Sequence, residues 1–349
     1  MSVSRIGIIG LGLVSKVHLA SFKLVKDIRI VAVCDVRDEV VRPVAEDWCA
    51  AAYTDYEVML QSNDFDLVLV LTPASTHRKI VAACANEGVH VFCEKPLAVS
   101  REDAQAIVSD CAKAQIKLFY GSCYRYLPAV RRAYDLIRKG RIGDIKLLTE
   151  QGLGGSGPDG HIPLSFLHYP EGQPGGSGSG LIDHGIHLVD IFKWFVNSPI
   201  MDVKGRGNVS GKSPQTEYLI MHFANGAMGH LVYNDATFKT TLPQEGIFSK
   251  GQSYRLDGTI ADSGLWEDNP ASISVYGTEG SLRIFYYANA LYLNNGRGVE
   301  EISLTGRAPF GHFATQLETC LDAIASNKLP EVSGDDGLDA LSTVLEIYS

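Results

Sequence analysis

Cysteine pairs are missing from this sequence, although seven cysteines are present. The seven are scattered along the chain, and no two of them have the Cys-x-x-Cys spacing of a metal finger or a redox motif. An odd number of scattered cysteines does not make a disulfide framework and is typical of a reducing compartment. We therefore expect a cytoplasmic protein.

Long apolar runs are missing as well. A helix that spans a bilayer needs about 20 consecutive apolar residues, and no segment of this chain approaches that length. The first apolar run, residues 6–13, is interrupted by Gly10 and Gly12 and follows no basic leader. We expect neither a secretion signal nor a membrane partner.

An excess of positive charge, which nucleic-acid and membrane-surface binders need in order to meet phosphates, is also absent. The formal net charge is −9, with 31 lysine and arginine residues against 40 aspartate and glutamate residues. We expect no nucleic-acid partner, and any anionic ligand has to be held by a local site.

The chain does contain enough apolar material for two cores. It has 349 residues, of which 45% are hydrophobic and 20% charged, the balance of a folded globular protein. A single core stops growing at roughly 250 to 300 residues. The pattern of apolar segments changes after about Gly121, so we predict two domains, residues 1–122 and 123–349.

The first third of the chain alternates short apolar segments with amphipathic helical patterns. The predicted strands are Arg5–Ile9, Arg29–Cys34, Asp66–Leu71, Val89–Cys93 and Lys117–Tyr120. The run from Leu67 to Leu71 is continuously apolar, which is typical of strands buried on both faces. This pattern predicts an α/β domain with a doubly wound parallel sheet of the Rossmann type.

The second domain is predicted to be an α+β domain with a mostly antiparallel sheet. After a helix over residues 129–139, alternating segments predict strands at Tyr218–Phe223, Met228–Tyr233, Ile273–Tyr276 and Ser281–Tyr286. A segment rich in Gly, Ser and Pro, residues 152–180, is predicted to be a loop that leads into a helix. Loops of that length inside a compact domain are usually functional.

A glycine-rich turn closes the first strand and opens the first helix. Its residues approximate Gly-x-Gly-x-x-Gly/Ala with serine in the last place: Gly10, Leu11, Gly12, Leu13, Val14 and Ser15. The first glycine permits a tight turn, the second lets the backbone approach a pyrophosphate, and the third position needs a small side chain. In this context the pattern predicts a dinucleotide site at the helix N-terminus, with an ordinary tight turn as the alternative.

An acidic residue, Asp35, follows at the end of the second predicted strand. A carboxylate there accepts hydrogen bonds from the ribose hydroxyls of NAD and repels the 2′-phosphate of NADP. Arg37 stands two residues later, where it could cover the adenine or meet a 2′-phosphate. We predict NAD as the cofactor and keep NADP as the second candidate.

The first candidate group for proton transfer is Glu94-Lys95-Pro96, directly after the predicted strand Val89–Cys93. Open α/β sheets bind their ligands at this carboxyl edge. An ammonium that donates a hydrogen bond to a substrate hydroxyl makes that hydroxyl easier to deprotonate. The alternative is a surface lysine that precedes a proline turn.

The second candidate group is the segment Asp183-His184-Gly185-Ile186-His187, at the start of a predicted helix that runs to about Val196. On a helix, Asp183 and His187 lie one above the other, so the carboxylate can orient the imidazole. His187 is the candidate general base, because histidine exchanges protons near neutral pH. The alternatives are a helix-start acid, a core histidine, and a metal site that includes His184. We predict no metal, because no third strong ligand accompanies them at metal spacing.

Together these motifs resemble the Gfo/Idh/MocA oxidoreductases. The agreement covers nearly the whole chain and includes the glycine turn, Asp35, the segment Thr72-Pro73-Ala74-Ser75-Thr76-His77, Glu94-Lys95-Pro96, Asp183-x-Gly185-x-His187, Arg125 with Pro128, and the motifs at 140–143, 277–281 and 333–337. Two departures are Ser15 and the long, glycine-rich segment before Asp183.

The resemblance implies a Rossmann domain followed by a domain whose large open sheet supports homodimers or homotetramers. It implies that Lys95 and His187 act on the substrate hydroxyl, with Asp183 assisting. It also implies that Tyr124 and Arg125 reach the substrate. The residues that it places along the cofactor are Thr72, Pro73, His77, Glu94 and Lys95.

The expected activity is hydride transfer between NAD and a secondary alcohol of a sugar, a glycoside or an inositol-like polyol. One alternative is a glycosidase that retains NAD, oxidises the sugar transiently and eliminates the aglycone. Another is a dinucleotide or sugar sensor that has lost its chemistry, since a fold alone does not fix function. The presence of Lys95, Asp183 and His187 argues against a sensor.

Overall fold

The computed structural model describes residues 3–155, 180–207, 216–238, 251–254, 260–263, 272–304 and 310–348. The chain divides into two compact units. The first unit comprises Met1–Ser122 and Phe313–Leu341, and the second comprises Cys123–His312 and Ser342–Ser349. Among the described residues, no helix combines the length and the apolar character that crossing a bilayer requires.

The first unit contains a parallel sheet of six strands in the order β3-β2-β1-β4-β5-β6. The strands are β1 (Ser4–Ile9), β2 (Ile28–Cys34), β3 (Ala51–Tyr53), β4 (Leu67–Val70), β5 (His90–Cys93) and β6 (Leu118–Tyr120). The helices between them are α1 (Leu13–Phe22), α2 (Asp38–Trp48), α3 (Tyr56–Ser62), α4 (Ala74–Asn86) and α5 (Arg101–Lys113). This arrangement confirms the predicted doubly wound sheet. The strand order reverses between β1 and β4, the position at which such sheets bind ligands.

The sheet of the first unit has one strand more than the sequence predicted. Strand β3 is three residues long and lies at the sheet edge, with two exposed alanines followed by a half-buried tyrosine. An edge strand this short and this exposed has no apolar run to reveal it. The four residues of β4, in contrast, are all buried, as the continuous apolar pattern predicted.

The second unit contains an eight-stranded sheet in the order β16-β15-β14-β13-β7-β10-β9-β8. Helices α6 (Pro128–Arg138) and α7 (Ile186–Val196) accompany it. The strands are β7 (Ile145–Gly155), β8 (Ile200–Arg206), β9 (Thr216–Phe223), β10 (Met228–Phe238), β13 (Ser272–Gly277), β14 (Ser281–Phe285), β15 (Ala290–Asn294) and β16 (Val299–Glu301), while β11 (Gly251–Tyr254) and β12 (Ile260–Ser263) form a separate pair. All neighbours in the large sheet are antiparallel except β7 and β10. The prediction of a mostly antiparallel sheet is therefore confirmed.

The two faces of the large sheet differ in exposure. Residues of one face are buried, among them Leu148, Leu219, Leu231 and Val275, and α7 is apolar nearly all round, as a buried helix is. The other face carries side chains that meet solvent. Tyr218 is 41% exposed and Tyr276 is 43% exposed.

Two predicted boundaries need correction. Residues 152–155 were expected to begin a loop but extend strand β7, whereas 156–179 lie outside the described residues. The C-terminal helices are α8 (Gly311–Ala325) and α9 (Gly334–Leu345). Helix α8 contributes Leu317, Cys320 and Ala323 to the core of the first unit, so residues 313–341 do not belong with 123–312 as the predicted domains had it.

Candidate active site

The glycine turn has the geometry that a dinucleotide requires. Gly10 has a φ of +96°, and a Cβ there would lie 2.7 Å from the backbone carbon of Leu71, so a side chain does not fit. Gly12 directly precedes α1, and a Cβ added to it would meet no atom within 4 Å. Ser15 is buried and donates from its Oγ to the carbonyl of Gly12 at 2.7 Å, so serine suits the last position. The helix N-terminus beside Gly12 therefore fits a pyrophosphate.

Asp35 follows β2 and holds the glycine turn in place. Its Oδ2 accepts the backbone N–H of Leu11 at 2.9 Å. Nε and Nη2 of Arg37 donate to Oδ1 and Oδ2 at 2.9 and 3.0 Å. Burial acts to raise the pKa of Asp35, but the hydrogen bonds from Arg37 and Leu11 outweigh it, so this pKa lies below its usual value. The carboxylate is thus ionised at neutral pH.

The loop after β4 is tied to the loop after β5 by His77. Nε2 of this buried imidazole lies 2.8 Å from the carbonyl oxygen of Thr72, and Nδ1 lies 3.2 Å from the carbonyl oxygen of Leu97. Thr72 is half-buried and Pro73 is exposed. His77 therefore holds together the two loops that follow β4 and β5. Its contact with a cofactor stays a prediction.

Glu94 anchors the loop that carries Lys95. Its Oε1 lies 2.8 Å from Nε2 of His18, and its Oε2 accepts the backbone N–H of Lys95 at 2.9 Å. Burial acts to raise the pKa of Glu94, but the contacts with His18 and Lys95 outweigh it, and the pKa lies below its usual value. The imidazole of His18 is itself buried in α1 among the rings of Phe22, Phe92 and Phe313.

The first unit thus brings most of the predicted cofactor residues to one edge of its sheet. The glycine turn follows β1, Asp35 follows β2, Thr72 follows β4 and Lys95 follows β5. Of the side chains there, Leu13 and Arg37 are exposed, whereas Val14 and Lys95 are half-buried. This is the edge at which a parallel sheet binds nucleotides.

The segment around Asp183 differs from the predicted α-helix. Leu181–Gly185 forms a single π-helical turn that continues into α7. A π turn bonds residue i to i+5, so the α-helical spacing that we assumed for Asp183 and His187 does not hold across it. Such single turns are frequent at functional sites. Asp183 is half-buried in the π turn, and His187 is buried in the first turn of α7.

The ring of Tyr124 joins two histidines of this segment. Tyr124 lies in the short 3-10 helix Cys123–Tyr126, and its ring stacks on that of His187 with centroids 4.1 Å apart and planes at 5°. Its hydroxyl lies 3.2 Å from Nδ1 of His184 and contacts the hydroxyl of Tyr287. Of the predicted substrate residues, the second unit therefore brings Tyr124 and His187 together.

A buried carboxylate lies behind His184. Nε2 of His184 is 2.8 Å from the hydroxyl of Tyr286 and 3.5 Å from Oε1 of Glu150. Tyr286 donates to Oε1 of Glu150 at 3.0 Å, and Tyr233 donates to Oε2 at 2.5 Å. Glu150 lies in β7 and is 1% exposed. Three glycines, Gly152, Gly180 and Gly185, leave room for the ring of Tyr233. A Cβ added to any of them would lie only 2.7 to 3.4 Å from that ring.

Arg125 is held in a buried ion pair. Its Nε donates to Oδ2 of Asp190 at 2.8 Å, and its Nη2 contacts Oδ1 of the same carboxylate. The guanidinium carbon also lies 5.4 Å from the ring centroid of Trp194. These contacts tie the 3-10 helix that contains Tyr124 to α7. The predicted contact of Arg125 with substrate stays a prediction.

The alternative interpretation was a metal site that includes His184, in the part of the chain that the structure describes. There, no group of three His, Cys, Asp or Glu side chains is placed to hold an ion. His184, which that alternative required, contacts Tyr124 and Tyr286 instead.

Sequence reasoning did not single out several residues of these clusters, among them His18, Glu150, Asp190, Tyr233, Tyr286 and Tyr287. Tyr233 and Tyr286 fall at the ends of predicted strands, where they pass for ordinary sheet residues. Their shared partner, Glu150, lies 83 and 136 residues away from them. The sequence signal that could have identified Glu150 is an acidic residue that follows the apolar pair Leu147-Leu148.

Comparison with known proteins finds relatives of both units. A family model described as "Oxidoreductase family, NAD-binding Rossmann fold" matches residues 4–122, and one described as "GFO/IDH/MocA C-terminal domain" matches residues 130–283. A Thermotoga maritima protein named Myo-inositol 2-dehydrogenase is 26% identical over 97% of this chain and 93% of its own length. A Haloferax volcanii protein named D-xylose 1-dehydrogenase (NADP(+)) 2 is 25% identical over 85% of this chain and 81% of its own.

A solved structure shares the whole fold. The oxidoreductase domain protein from Kribbella flavida superposes with a TM-score of 0.80 and 23% identity over 99% of this chain and 96% of its own. Both units thus agree with one family, in sequence and in the topology of their two sheets. The chain belongs to the GFO/IDH/MocA family of oxidoreductases.

Proposed function

We propose that this chain is an NAD-dependent dehydrogenase that moves hydride between the nicotinamide and a secondary alcohol of a sugar, a glycoside or an inositol-like polyol. The observation that carries the proposal is Lys95, whose loop is anchored by the buried Glu94 at the same sheet edge as the glycine turn. The relative named Myo-inositol 2-dehydrogenase, which aligns with 97% of the chain, supports a polyol as the substrate class.

NAD is the proposed cofactor because Asp35 is ionised and fixed at the end of β2. Its charge repels a 2′-phosphate, and its oxygens can accept hydrogen bonds from ribose hydroxyls. Arg37, the residue that could bind a 2′-phosphate, is paired with Asp35. The Haloferax volcanii relative is named for NADP, so the preference has to be measured.

Bound NAD would supply a hydride acceptor for the carbon that carries the hydroxyl. The ammonium of Lys95 donates a hydrogen bond to that hydroxyl, which favours loss of its proton. His187 accepts the proton as a general base. Asp183 assists by binding the substrate, and Tyr124 and Arg125 are the further proposed substrate residues.

The proposed organisation is a dinucleotide unit that starts the chain and a substrate unit that also mediates oligomerisation. Tyr218 and Tyr276 lie on one face of the large sheet, because the register pairs Tyr218 with Val232, Val232 with Gln151, and Leu147 with Tyr276. Both tyrosines are more than 40% exposed. Exposed aromatic side chains on a sheet face support a homodimer or a homotetramer.

The experiment is a spectrophotometric screen for nicotinamide reduction. The purified protein is mixed with NAD or NADP and with a panel of inositols, aldoses, glycosides and amino sugars. Reduction of NAD in step with oxidation of one panel class supports the proposal. Cleavage of a glycoside without net NADH contradicts it in favour of the glycosidase alternative.

A further inference from the structure

We propose that His184 and Glu150 are positioning residues, which hold the ring of Tyr124 against His187 and thereby fix the imidazole that acts on the substrate. The inference rests on the proposed function, because it takes His187 to be a group that meets the substrate hydroxyl. Every contact that carries it lies within the second unit.

The direction of the hydrogen bonds follows from the buried carboxylate. Tyr233 donates to Oε2 of Glu150, and Tyr286 donates to Oε1. The oxygen of Tyr286 then accepts the N–H at Nε2 of His184. A neutral imidazole with its proton on Nε2 has an acceptor at Nδ1, and Tyr124 is the donor in reach of it, at 3.2 Å. Glu150 therefore sets the tautomer of His184.

The hydrogen bonds that run from Glu150 through Tyr286 and His184 hold the hydroxyl of Tyr124 in place. Its hydroxyl is held by His184 on one side and contacts Tyr287 on the other. Desolvation raises the pKa of Tyr287, so this second hydroxyl keeps its proton and can donate to Tyr124. A phenol hydroxyl makes its hydrogen bonds preferentially in the plane of its ring, so two partners at the hydroxyl favour one ring plane, and that plane lies 5° from the imidazole of His187.

The stacking has a consequence for proton transfer. When His187 accepts a proton, it becomes a cation against the face of an aromatic ring, which attracts positive charge. The centroid separation of 4.1 Å is well inside the range of that attraction, which extends to about 6 Å. Tyr124 thus both orients the imidazole and stabilises its charged form.

The free-energy cost of burying the carboxylate of Glu150 indicates a role beyond packing. A buried carboxylate is expensive unless its hydrogen bonds are satisfied, and an apolar side chain would fill the same space without that cost. Glu150 is nevertheless 1% exposed, and three glycines leave room for the tyrosine that bonds it. A fully bonded polar network specifies one geometry, which is what the support of a catalytic imidazole needs.

The first arm of the test is NMR of the full-length protein with ¹⁵N- and ¹³C-labelled histidine, saturated with NAD. His184→Gln and His187→Gln assign the two signals. We expect His184 to donate from Nε2 and to accept at Nδ1, and the His187 ring to show an upfield shift from the stacked Tyr124. Tyr124→Leu abolishes that shift, Tyr124→Phe retains most of it, and Tyr134→Phe is the matched control.

The second arm is steady-state kinetics on the substrate found in the screen. Because a small displacement of a reacting group can cost up to about 100-fold in rate, we expect Tyr124→Leu and His184→Leu to lower kcat by about 10- to 100-fold. The KM for NAD stays unchanged. His184→Gln, whose amide can donate to Tyr286 and accept from Tyr124, retains more activity than His184→Leu. His222→Gln, at an exposed histidine of β9, is the control.

Two results overturn the inference. One is a His187 signal that shows no ring shift or does not respond to Tyr124→Leu. The other is kcat within about twofold of the wild type in Tyr124→Leu and His184→Leu variants that fold normally. If the wild type oxidises no panel member, the proposed function fails. The NMR arm still decides whether His184, Glu150 and Tyr124 position His187.

Discussion

Nε2 of His18 lies 2.8 Å from Oε1 of Glu94, and both side chains are buried. This contact joins α1, which begins at the glycine turn, to the loop that contains Lys95. The same carboxylate accepts the backbone N–H of Lys95 through its other oxygen. The dinucleotide turn and the proposed proton-transfer lysine are therefore held in register by one side chain.

Because of this contact, the free energy of unfolding of the protein depends on pH in the acidic range. The pKa of Glu94 is lowered by folding from its ordinary value of 4.5, so near that pH the unfolded chain binds more protons than the folded one. The stabilisation is present above the unfolded pKa and is lost as the pH falls through the folded pKa. We expect the free energy of unfolding, measured in urea, to fall less steeply between about pH 6 and about pH 4 in Glu94→Gln than in the wild type. Glu57→Gln, at an exposed glutamate of α3, should match the wild type; equal slopes in all three proteins would contradict the assignment.

Asp35 should determine the choice of dinucleotide. Asp35→Ser removes the charge that repels a 2′-phosphate and releases Arg37 to bind one. We expect the ratio of kcat/KM for NADP to that for NAD to rise by at least about tenfold, which corresponds to about 1.4 kcal/mol. The measurement is initial rates with both cofactors at a fixed substrate concentration. Asp38→Ser, three residues away and paired with Arg42, is the control. An unchanged ratio in the Asp35 variant would mean that another group selects the cofactor.

The pair of Arg125 and Asp190 should be a structural requirement. Arg125 is 4% exposed and Asp190 is 1% exposed, so removing one partner leaves a buried charge without its counterpart. We expect Asp190→Ala to lower the free energy of unfolding by about 3 to 5 kcal/mol. Denaturant titration measures this loss. Asp202→Ala, at an exposed ion pair with Lys204 in the same unit, should change little. A loss of stability in Asp190→Ala no larger than that in Asp202→Ala would contradict this requirement.

The exposed tyrosines should lie in a subunit interface. We expect light scattering after gel filtration to give a dimer or tetramer mass for the wild type and a lower mass for the double variant Tyr218→Asp with Tyr276→Asp. A charge placed in an apolar contact loses its hydration without gaining a partner. Leu329→Asp, at a residue that is 89% exposed in the first unit, controls for added charge alone. A wild-type monomer would rule out this interface.

The sequence was most informative where structure is local. The continuous apolar run in β4, the glycines of the first turn and the acid after β2 each depend on neighbours within a few residues, and each prediction of strand or turn was confirmed. Strand β3 was missed because two alanines and a tyrosine at an edge have no distinguishing pattern. The π turn was missed because the sequence Leu181–Gly185 satisfies an α-helical pattern equally well.

Long-range contacts could not be predicted in the same way. His18 and Glu94 are 76 residues apart, and Tyr286 and Glu150 are 136 residues apart. Nothing in the residue types at these positions specifies which strand becomes the neighbour of which. The packing of α8 against the first unit is another such case, since its residues Leu317, Cys320 and Ala323 join a core formed almost 200 residues earlier in the chain.

In the proposed reaction, hydride passes from a secondary alcohol carbon to the nicotinamide. The most direct measurement uses the substrate found in the screen, deuterated on the carbon that carries the hydroxyl, and determines the mass of the NADH that forms. We predict NADH that contains one deuterium, with a rate lowered by about 10² to 10⁴ in Lys95→Ala and in His187→Ala. NADH without deuterium, or full activity in both variants, would contradict the proposed reaction.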